Sequence, residues 1–233
     1  MEEIKISIRD NIINIEKNIE DALIKSGRTD KVELIAVTKT VDIERIKTAM
    51  KLGIDNIGEN RVQEFEKKYK EIGRDINYHM IGHLQSNKVK HLIGKTRLIH
   101  SLDRMSLVKE LNKRSKNENL VTDVLIQVNV SEEKTKFGLK IENVLDFIEK
   151  VLKYENVRVR GLMTIAPYID DEIELRRIFK TLYNLKEEII LKNYKELSMD
   201  FLSMGMTNDY KIAIEEGSNM IRIGTGIFGE RNY

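Results

Sequence analysis

Apolar residues along the chain fall into two alternating patterns, one with the spacing of a helix and one with the spacing of a strand. The first 25 residues carry apolar side chains at steps of three and four, which is typical of an amphipathic helix. Gly27 follows, and glycine commonly ends helices because it adopts a left-handed backbone without strain. This first helix is predicted from six positions: Ile4, Ile8, Ile12, Ile15, Ile19 and Leu23.

Eight short runs rich in apolar and β-branched residues come after the first helix, and helical patterns separate them. The clearest helical patterns cover residues 141–152 and 178–189. Strands that alternate with helices indicate a parallel sheet, and eight such strands can close a (β/α)8 barrel. The predicted strands lie near residues 33–38, 54–58, 77–81, 97–100, 121–130, 157–163, 198–203 and 219–224.

We therefore predict an α/β fold, a single TIM-type (β/α)8 barrel domain over residues 1–233. About ten residues follow the last predicted strand, too few for a full-length eighth helix. The N-terminal helix is expected to fill that place in the outer ring. An open, doubly wound sheet is the alternative, because periodicity alone does not distinguish it from a barrel. In barrels, functional side chains gather at the carboxyl ends of the strands.

Lys39 closes the apolar run at residues 34–38. Strand alternation places Lys39 on the same face as Ile35 and Val37, and an inward face would put its amine at the barrel mouth. A buried lysine is costly unless its charge is neutralised or the residue does chemistry. Burial favours the neutral amine, which is the form that attacks an aldehyde. The competing interpretation is a lysine that marks the exit of the strand into solvent.

Arg222 lies in the last predicted strand, where alternation separates it from Ile221 and Ile223. If the isoleucines pack against helices, Arg222 points into the barrel, where a guanidinium needs a partner because it does not lose its proton. A structural ion pair with an acidic neighbour is the competing interpretation. Residues 224–226, Gly-Thr-Gly, offer backbone amides that can approach an anion closely.

The segment 203–210 follows the seventh predicted strand and leads into a helix that Thr207 or Asn208 is expected to cap. Barrels commonly bind phosphate in the loops after the seventh and eighth strands. A capped helix without a ligand is the competing interpretation. A lysine suited to an aldehyde, together with amides suited to a phosphate, points to pyridoxal phosphate as the ligand.

Composition narrows the remaining function classes. The 40 basic and 38 acidic side chains nearly balance, which argues against nucleic-acid and membrane partners. Cysteine is absent, so disulfides, thiolate metal sites and cysteine nucleophiles are excluded. The histidines lack helical metal-ligand spacing, and we predict no metal site. The acidic start of the chain does not resemble a secretory signal, and no apolar run reaches the roughly 20 residues of a membrane span. A cytoplasmic protein is expected.

Six motifs are spread along the chain: AVTK at 36–39, GENRVQE at 58–64, HMIGHLQSNK at 79–88, GLMT at 161–164, SMGM at 203–206 and RIGT at 222–225. In this order and spacing they closely resemble the pyridoxal phosphate homeostasis protein family. Members of that family are similar to the barrel of alanine racemase, the fold-type III group. The resemblance extends from the first strand to residues 227–229, so it covers nearly the whole chain.

The resemblance implies roles for seven residues. Lys39 is the Schiff-base lysine that holds the cofactor, pyridoxal 5'-phosphate, and Arg222 faces the pyridine nitrogen. A cationic arginine there disfavours protonation of that nitrogen, so the ring is a weaker electron sink. The remaining cofactor-binding residues are Ser203, Gly224 and Thr225 around the phosphate, with Asn60 and Met163 as pocket walls.

The resemblance also implies a function: a protein that holds, buffers or delivers pyridoxal phosphate, without robust catalysis of its own. In the family this role belongs to vitamin B6 homeostasis and affects amino-acid and keto-acid metabolism. The implied partners are apo-enzymes that receive the cofactor, and relatives are often monomeric. Lys136, in a loop after the fifth strand, is interpreted as a solvated lysine, with transient acceptance of the aldehyde as the alternative.

Two enzymatic hypotheses compete with the carrier. One is a pyridoxal phosphate-dependent catalyst, an amino-acid racemase or a transaminase-like enzyme. It needs a second acid/base, and we place no tyrosine of this chain opposite Lys39. The other is a barrel enzyme acting on phosphorylated metabolites, with Lys39 as a Schiff-base lysine for a sugar aldehyde or ketone.

Overall fold

Eight parallel strands form a closed barrel in which each strand pairs with the next and β8 pairs with β1. The computed structural model describes residues 2–133, 135–195 and 197–230, with side chains from Ser7 onward. All eight predicted strands are confirmed, and the open-sheet alternative is wrong because β1 and β8 are hydrogen-bonded over four residue pairs. The strands are β1 Glu33–Val37, β2 Asn56–Glu59, β3 Asn77–Met80, β4 Leu98–Leu102, β5 Thr122–Gln127, β6 Val157–Met163, β7 Phe201–Ser203 and β8 Met220–Ile223.

Helices surround the barrel, with a short 3-10 helix, Ser86–His91, in place of an α-helix between β3 and β4. A second 3-10 turn, Ile141–Asn143, leads directly into α5. The α-helices are α1 Glu2–Lys25, α2 Ile43–Lys51, α3 Val62–Ile72, α4 Met105–Asn117, α5 Val144–Val151, α6 Glu172–Leu191, α7 Tyr210–Glu215 and α8 Thr225–Phe228.

The N-terminal helix fills the outer ring where the last helix is short, as predicted. Helix α8 has only four residues, and α1 packs against α8, α7 and α2. The Asn11 side chain donates a hydrogen bond to the Ile227 carbonyl at 3.0 Å, which ties α1 to α8. Ile8, Ile12 and Ile15 of the predicted apolar face are buried, while the side chain of Ile4 lies outside the described part.

Two apolar cores flank the barrel wall. The larger lies between the strands and the helices and contains the outward-facing residues of each strand. The smaller fills the barrel interior and contains Ile35, Leu98, Leu125, Met163 and Met220. Strand alternation places polar side chains on the same inward faces. Interior polar residues include His79, His100, Ser203 and Arg222, all buried.

Gly161 allows β6 and β7 to approach each other closely. Its φ of +149° lies in a region that favours glycine, and a Cβ built there would lie 1.9 Å from the Phe201 carbonyl oxygen. The contact fixes β7 against β6 just below the mouth, where Ser203 ends β7, Thr164 follows β6, and the Thr164 N–H donates to the Ser203 carbonyl at 3.1 Å.

Candidate functional site

A cavity at the carboxyl ends of the strands brings together four of the seven residues chosen from the sequence. It has a volume of about 230 Å³ and is lined in part by Lys39, Arg222, Gly224 and Thr225. An adjoining cavity of about 270 Å³ shares Lys39, Gly224 and Thr225. Small-molecule sites typically occupy about 300–1,000 Å³, so the paired cavities are of the right order for a small cofactor.

Lys39 is half-buried, two residues beyond the end of β1, in a turn that is held by a buried ion pair. Lys68 of α3 donates to the Thr38 carbonyl and to Glu59 Oε1, each at 2.5 Å. The Thr38 hydroxyl donates to the same Glu59 oxygen. These bonds fix the backbone immediately before Lys39.

The other side of the turn is fixed by the same helix. The Thr40 N–H donates to Glu64 Oε2 at 2.8 Å, and Thr40 has a φ of +64°, which is uncommon for a residue with a branched side chain. Glu64 and Lys68 lie one turn apart on α3, with 3.6 Å between Glu64 Oε2 and Lys68 Nζ. Helix α3 therefore holds both peptide groups that flank Lys39.

Burial dominates the electrostatics of this pair. The Glu59 and Lys68 side chains are 1% and 7% exposed. Burial raises the pKa of Glu59, and Lys68 opposes that rise through its charge and its hydrogen bond. Glu59 Oε2 has no hydrogen-bond partner within the described part of the chain. The carboxylate thus depends on Lys68 and Thr38 for its solvation.

Arg222 points into the barrel, as alternation predicts, and is 3% exposed. It donates to Ser203 Oγ at 2.6 Å and to the Thr164 carbonyl at 2.8 Å. Burial lowers the pKa of Arg222 to about 10, while the charge of Asp209 opposes the shift. The guanidinium therefore stays cationic at neutral pH and is held mainly by neutral acceptors.

The Gly-Thr-Gly segment forms the opposite wall of the cavity. The hydroxyls of Thr225 and Thr207 lie 3.2 Å apart, and the Gly226 N–H donates to Thr207 Oγ1 at 3.2 Å. A Cβ built on Gly224 meets only Val37, with its closest atoms 3.5 Å away, so this backbone is accessible from the cavity. Two hydroxyls and an open backbone segment suit a phosphate group.

The prediction that Thr207 or Asn208 caps the helix after β7 is wrong. Helix α7 begins at Tyr210, and the residue before it is Asp209. The Asp209 carboxylate accepts instead from the Met206 N–H at 2.5 Å, and burial raises its pKa. Because Asp209 closes the turn, Thr207 is available to contact Thr225.

Three chosen residues lie outside the shared cavity. Asn60 lines a separate groove at the mouth together with His83. Met163 is fully buried in the interior core, and Ser203 is fully buried beneath Arg222. Direct contacts of these three residues with a ligand stay predictions.

Sequence analysis did not identify several residues that shape this site. His79 and His100 lack metal-ligand spacing, which is the only histidine pattern considered in the sequence, and the structure places both inside the barrel. Lys68 lies on the apolar face of α3, three residues after Phe65, and a lysine at that spacing was an available signal. Tyr168, which we did not place from the sequence, is 89% exposed and lines the cavity with Lys39.

Lys136 takes part in local contacts of its loop. Its amine lies 2.5 Å from Glu133 Oε1 and donates to the Ile165 carbonyl at 3.4 Å. Transient uptake of an aldehyde there stays a prediction. Across the described residues, no group of three or more His, Asp or Glu side chains is placed to hold a metal ion. None of the described helices is long and apolar enough to cross a bilayer.

Residues 11–232 match the family model described as "Alanine racemase, N-terminal domain". A pyridoxal phosphate homeostasis protein of Aquifex aeolicus is 45% identical over 219 residues, covering 93% of this chain and 95% of the relative. PipY of Synechococcus elongatus, solved with pyridoxal phosphate bound, superimposes with a TM-score of 0.82 at 28% identity, covering 95% of this chain and 100% of PipY. Alanine racemase of Clostridium difficile shares the fold at a TM-score of 0.77 and 15% identity, over 97% of this chain and 60% of the racemase.

Proposed function

Because the chain belongs to the pyridoxal phosphate homeostasis protein family, we propose that it binds pyridoxal phosphate at the barrel mouth, buffers it and delivers it to apo-enzymes. The observation that carries the proposal is the meeting of Lys39, Arg222, Gly224 and Thr225 in one cavity. These residues come from opposite ends of the sequence and converge because β1 and β8 are neighbours.

Each group has a part that its chemistry suits. Lys39 binds the aldehyde covalently through its ε-amino group, held in place by the Lys68–Glu59 pair. Thr225 and the backbone of residues 224–226 hold the phosphate, and Arg222 faces the pyridine nitrogen. When bound, the cofactor supplies an electron sink, and the cationic Arg222 weakens that sink by keeping the pyridine nitrogen unprotonated. Such a site favours storage over carbanion chemistry.

Covalent trapping tests the binding mode. Wild-type protein loaded with pyridoxal phosphate, reduced with borohydride and digested should carry a pyridoxyl group on the peptide that contains Lys39. Lys39→Ala protein should carry none there, whereas Lys140→Ala, which removes an exposed lysine, should be labelled like the wild type. Labelling spread over surface lysines would contradict the proposal.

Delivery needs its own experiment. Loaded protein is mixed with an apo-enzyme in the presence of a trap that consumes free aldehyde. Reactivation of the apo-enzyme despite the trap supports direct transfer, and complete suppression by the trap contradicts it. A cytoplasmic location and a monomeric state belong to the same proposal, and cell fractionation and light scattering test them.

A racemase-like activity is the second candidate, and the position of Tyr168 favours it. Tyr168 lines the cavity together with Lys39, so its phenol is a candidate for a second acid/base group. Its 89% exposure argues against a fixed position. Exchange of the α-proton of an amino acid above the rate with free cofactor, and its loss in Tyr168→Phe, would support this candidate over the carrier.

A further inference from the structure

A chain of hydrogen bonds runs through the barrel interior from its floor to Arg222 at the mouth. His79 Nε2 lies 3.2 Å from Asn56 Oδ1, and His79 Nδ1 lies 3.0 Å from His100 Nε2. His100 Nδ1 lies 3.1 Å from Ser203 Oγ, which accepts from Arg222 at 2.6 Å. His79, His100, Ser203 and Arg222 are each 3% exposed or less. The links from His79 to Arg222 are therefore made inside the protein, and the link to the half-buried Asn56 is partly buried.

The imidazoles of His79 and His100 are both neutral. Burial lowers the pKa of His79 to about 3, and the charge of Arg97 lowers it further. Burial also lowers the pKa of His100, helped by His79 and Arg222. A neutral imidazole has one N–H and one bare nitrogen, so each ring donates one hydrogen bond and accepts one.

The floor of the barrel determines which nitrogen carries the proton. Asn56 Oδ1 also accepts from Arg97 Nη1 at 2.8 Å, which identifies this atom as the amide oxygen, an acceptor only. His79 must therefore carry its proton on Nε2, and its bare Nδ1 must accept from His100 Nε2. The bare Nδ1 of His100 must in turn accept the hydroxyl proton of Ser203.

The bond at the mouth is compatible with this direction. Arg222 can only donate, so Ser203 Oγ is an acceptor in that bond. Ser203 Oγ can accept two hydrogen bonds, so it is the bare Nδ1 of His100, assigned from the floor, that directs the hydroxyl proton of Ser203 to His100. Donation runs in a single direction from Arg222 to Asn56, and each histidine has its proton on Nε2.

We propose that His79 and His100 are positioning residues: with Ser203 they form a one-directional chain that anchors Arg222 and that uses the hydroxyl proton of Ser203. The inference rests on the proposed function and deepens it. A phosphate group of a bound cofactor offers only acceptors to its neighbours, and Ser203 has no second proton to donate. Ser203 therefore holds Arg222 rather than the phosphate, and the phosphate contacts fall to Thr225 and the backbone of residues 224–226.

The protonation pattern can be tested without any cofactor. Nitrogen-15 correlation spectra of the histidine side chains, recorded on wild-type apo-protein, distinguish a protonated Nε2 from a protonated Nδ1. The proposal expects Nε2–H for both His79 and His100 from about pH 6 to 9. A proton on Nδ1 of either ring, or a charged ring in that range, overturns it. This result is independent of whether pyridoxal phosphate binds.

The role of Ser203 is tested by comparing two ligands, pyridoxal phosphate and pyridoxal, which lacks the phosphate. The ratio of their affinities measures what the phosphate contacts contribute. In Ser203→Ala both affinities should fall together as Arg222 loses an acceptor, and the ratio should change by less than about threefold. A larger fall in the ratio shows that Ser203 serves the phosphate and overturns the proposal.

Two further variants complete the comparison. Thr225→Val removes one hydroxyl from the phosphate side at nearly constant volume and should lower the ratio by about tenfold. His100→Phe breaks the chain without touching the cavity and should shift the absorption spectrum of the bound cofactor while leaving the ratio unchanged. A wild-type spectrum in His100→Phe contradicts the positioning role. If wild-type protein binds neither ligand, the proposed function is refuted. The histidine spectra then test the hydrogen-bond chain by themselves.

Discussion

The buried ion pair beneath Lys39 gives a quantitative prediction through Lys68→Met. Methionine keeps the length and helix propensity of lysine but removes the ammonium group that contacts Glu59 Oε1 and the Thr38 carbonyl. Glu59, 1% exposed, then keeps only the Thr38 hydroxyl, and its Oε2 already has no partner in the described part of the chain. The variant therefore leaves a carboxyl group buried and almost unsolvated.

Removing one partner of a buried ion pair typically costs about 3–5 kcal/mol of unfolding free energy. For a chain of this size about 1 kcal/mol corresponds to about 2–4 °C in Tm, so we expect a fall of roughly 6–20 °C. Urea denaturation followed by circular dichroism measures the free energy directly. The matched control is Lys67→Met on the exposed face of α3, which should cost less than about 0.5 kcal/mol.

The loss of unfolding free energy in Lys68→Met should depend on pH, and the pKa of Glu59 determines the direction of that dependence. Burial raises the pKa of Glu59 and Lys68 lowers it, so removing Lys68 raises the pKa further. A carboxyl group whose pKa is higher in the folded state stabilises the fold below its unfolded value of about 4.3, and this contribution is lost as the pH rises through the folded value. The deficit of Lys68→Met should therefore grow between about pH 4 and 8.

The double variant Glu59→Gln/Lys68→Met separates charge from packing. Because it has no buried charge, it should recover at least about half of the lost stability and show no pH-dependent deficit. A single-variant cost below about 1 kcal/mol, or a double variant no more stable than Lys68→Met, would refute the argument that Glu59 depends on Lys68.

Two glycine substitutions test the barrel and its mouth separately. Gly224→Ala should weaken pyridoxal phosphate binding by about tenfold, because the added Cβ covers backbone beside the cavity. It should change the unfolding free energy by less than about 1 kcal/mol, because that Cβ meets only Val37. Equilibrium dialysis measures the affinity and urea denaturation the stability, and an unchanged affinity would contradict the prediction. Gly161→Ala should cost more than about 3 kcal/mol, since its Cβ overlaps the Phe201 carbonyl. Gly53→Ala, with positive φ but open surroundings, should cost only about 1 kcal/mol, and equal costs for both would refute the steric argument.

Much of the fold could be predicted from the sequence, because the spacing of apolar residues along a strand or helix indicates which of its faces is buried. The alternation of Met220 to Ile223 already assigned Arg222 to the interior, and the structure places it there. The short segment after β8 indicated that α1 completes the ring. Closure of the barrel was the uncertain step, because the pairing of β1 with β8 joins the two ends of the chain.

The site was predictable where a residue acts alone at a strand end, and not where residues act through partners. Lys39 and Gly224 were found because each stands at such an end. The Lys68–Glu59 contact crosses from a helix to a strand, and nothing in a linear pattern says that those two side chains meet. His79 and His100 belong to different strands, and their single hydrogen bond depends on the barrel register.

A crystal structure of the protein grown with pyridoxal phosphate would test the central claim most directly. We predict continuous electron density from Lys39 Nζ to the cofactor, with the pyridine nitrogen facing Arg222 and the phosphate against the backbone of residues 224–226. An empty mouth in such a crystal, or a cofactor bound elsewhere while the Lys39 amine points into solvent, would contradict the account.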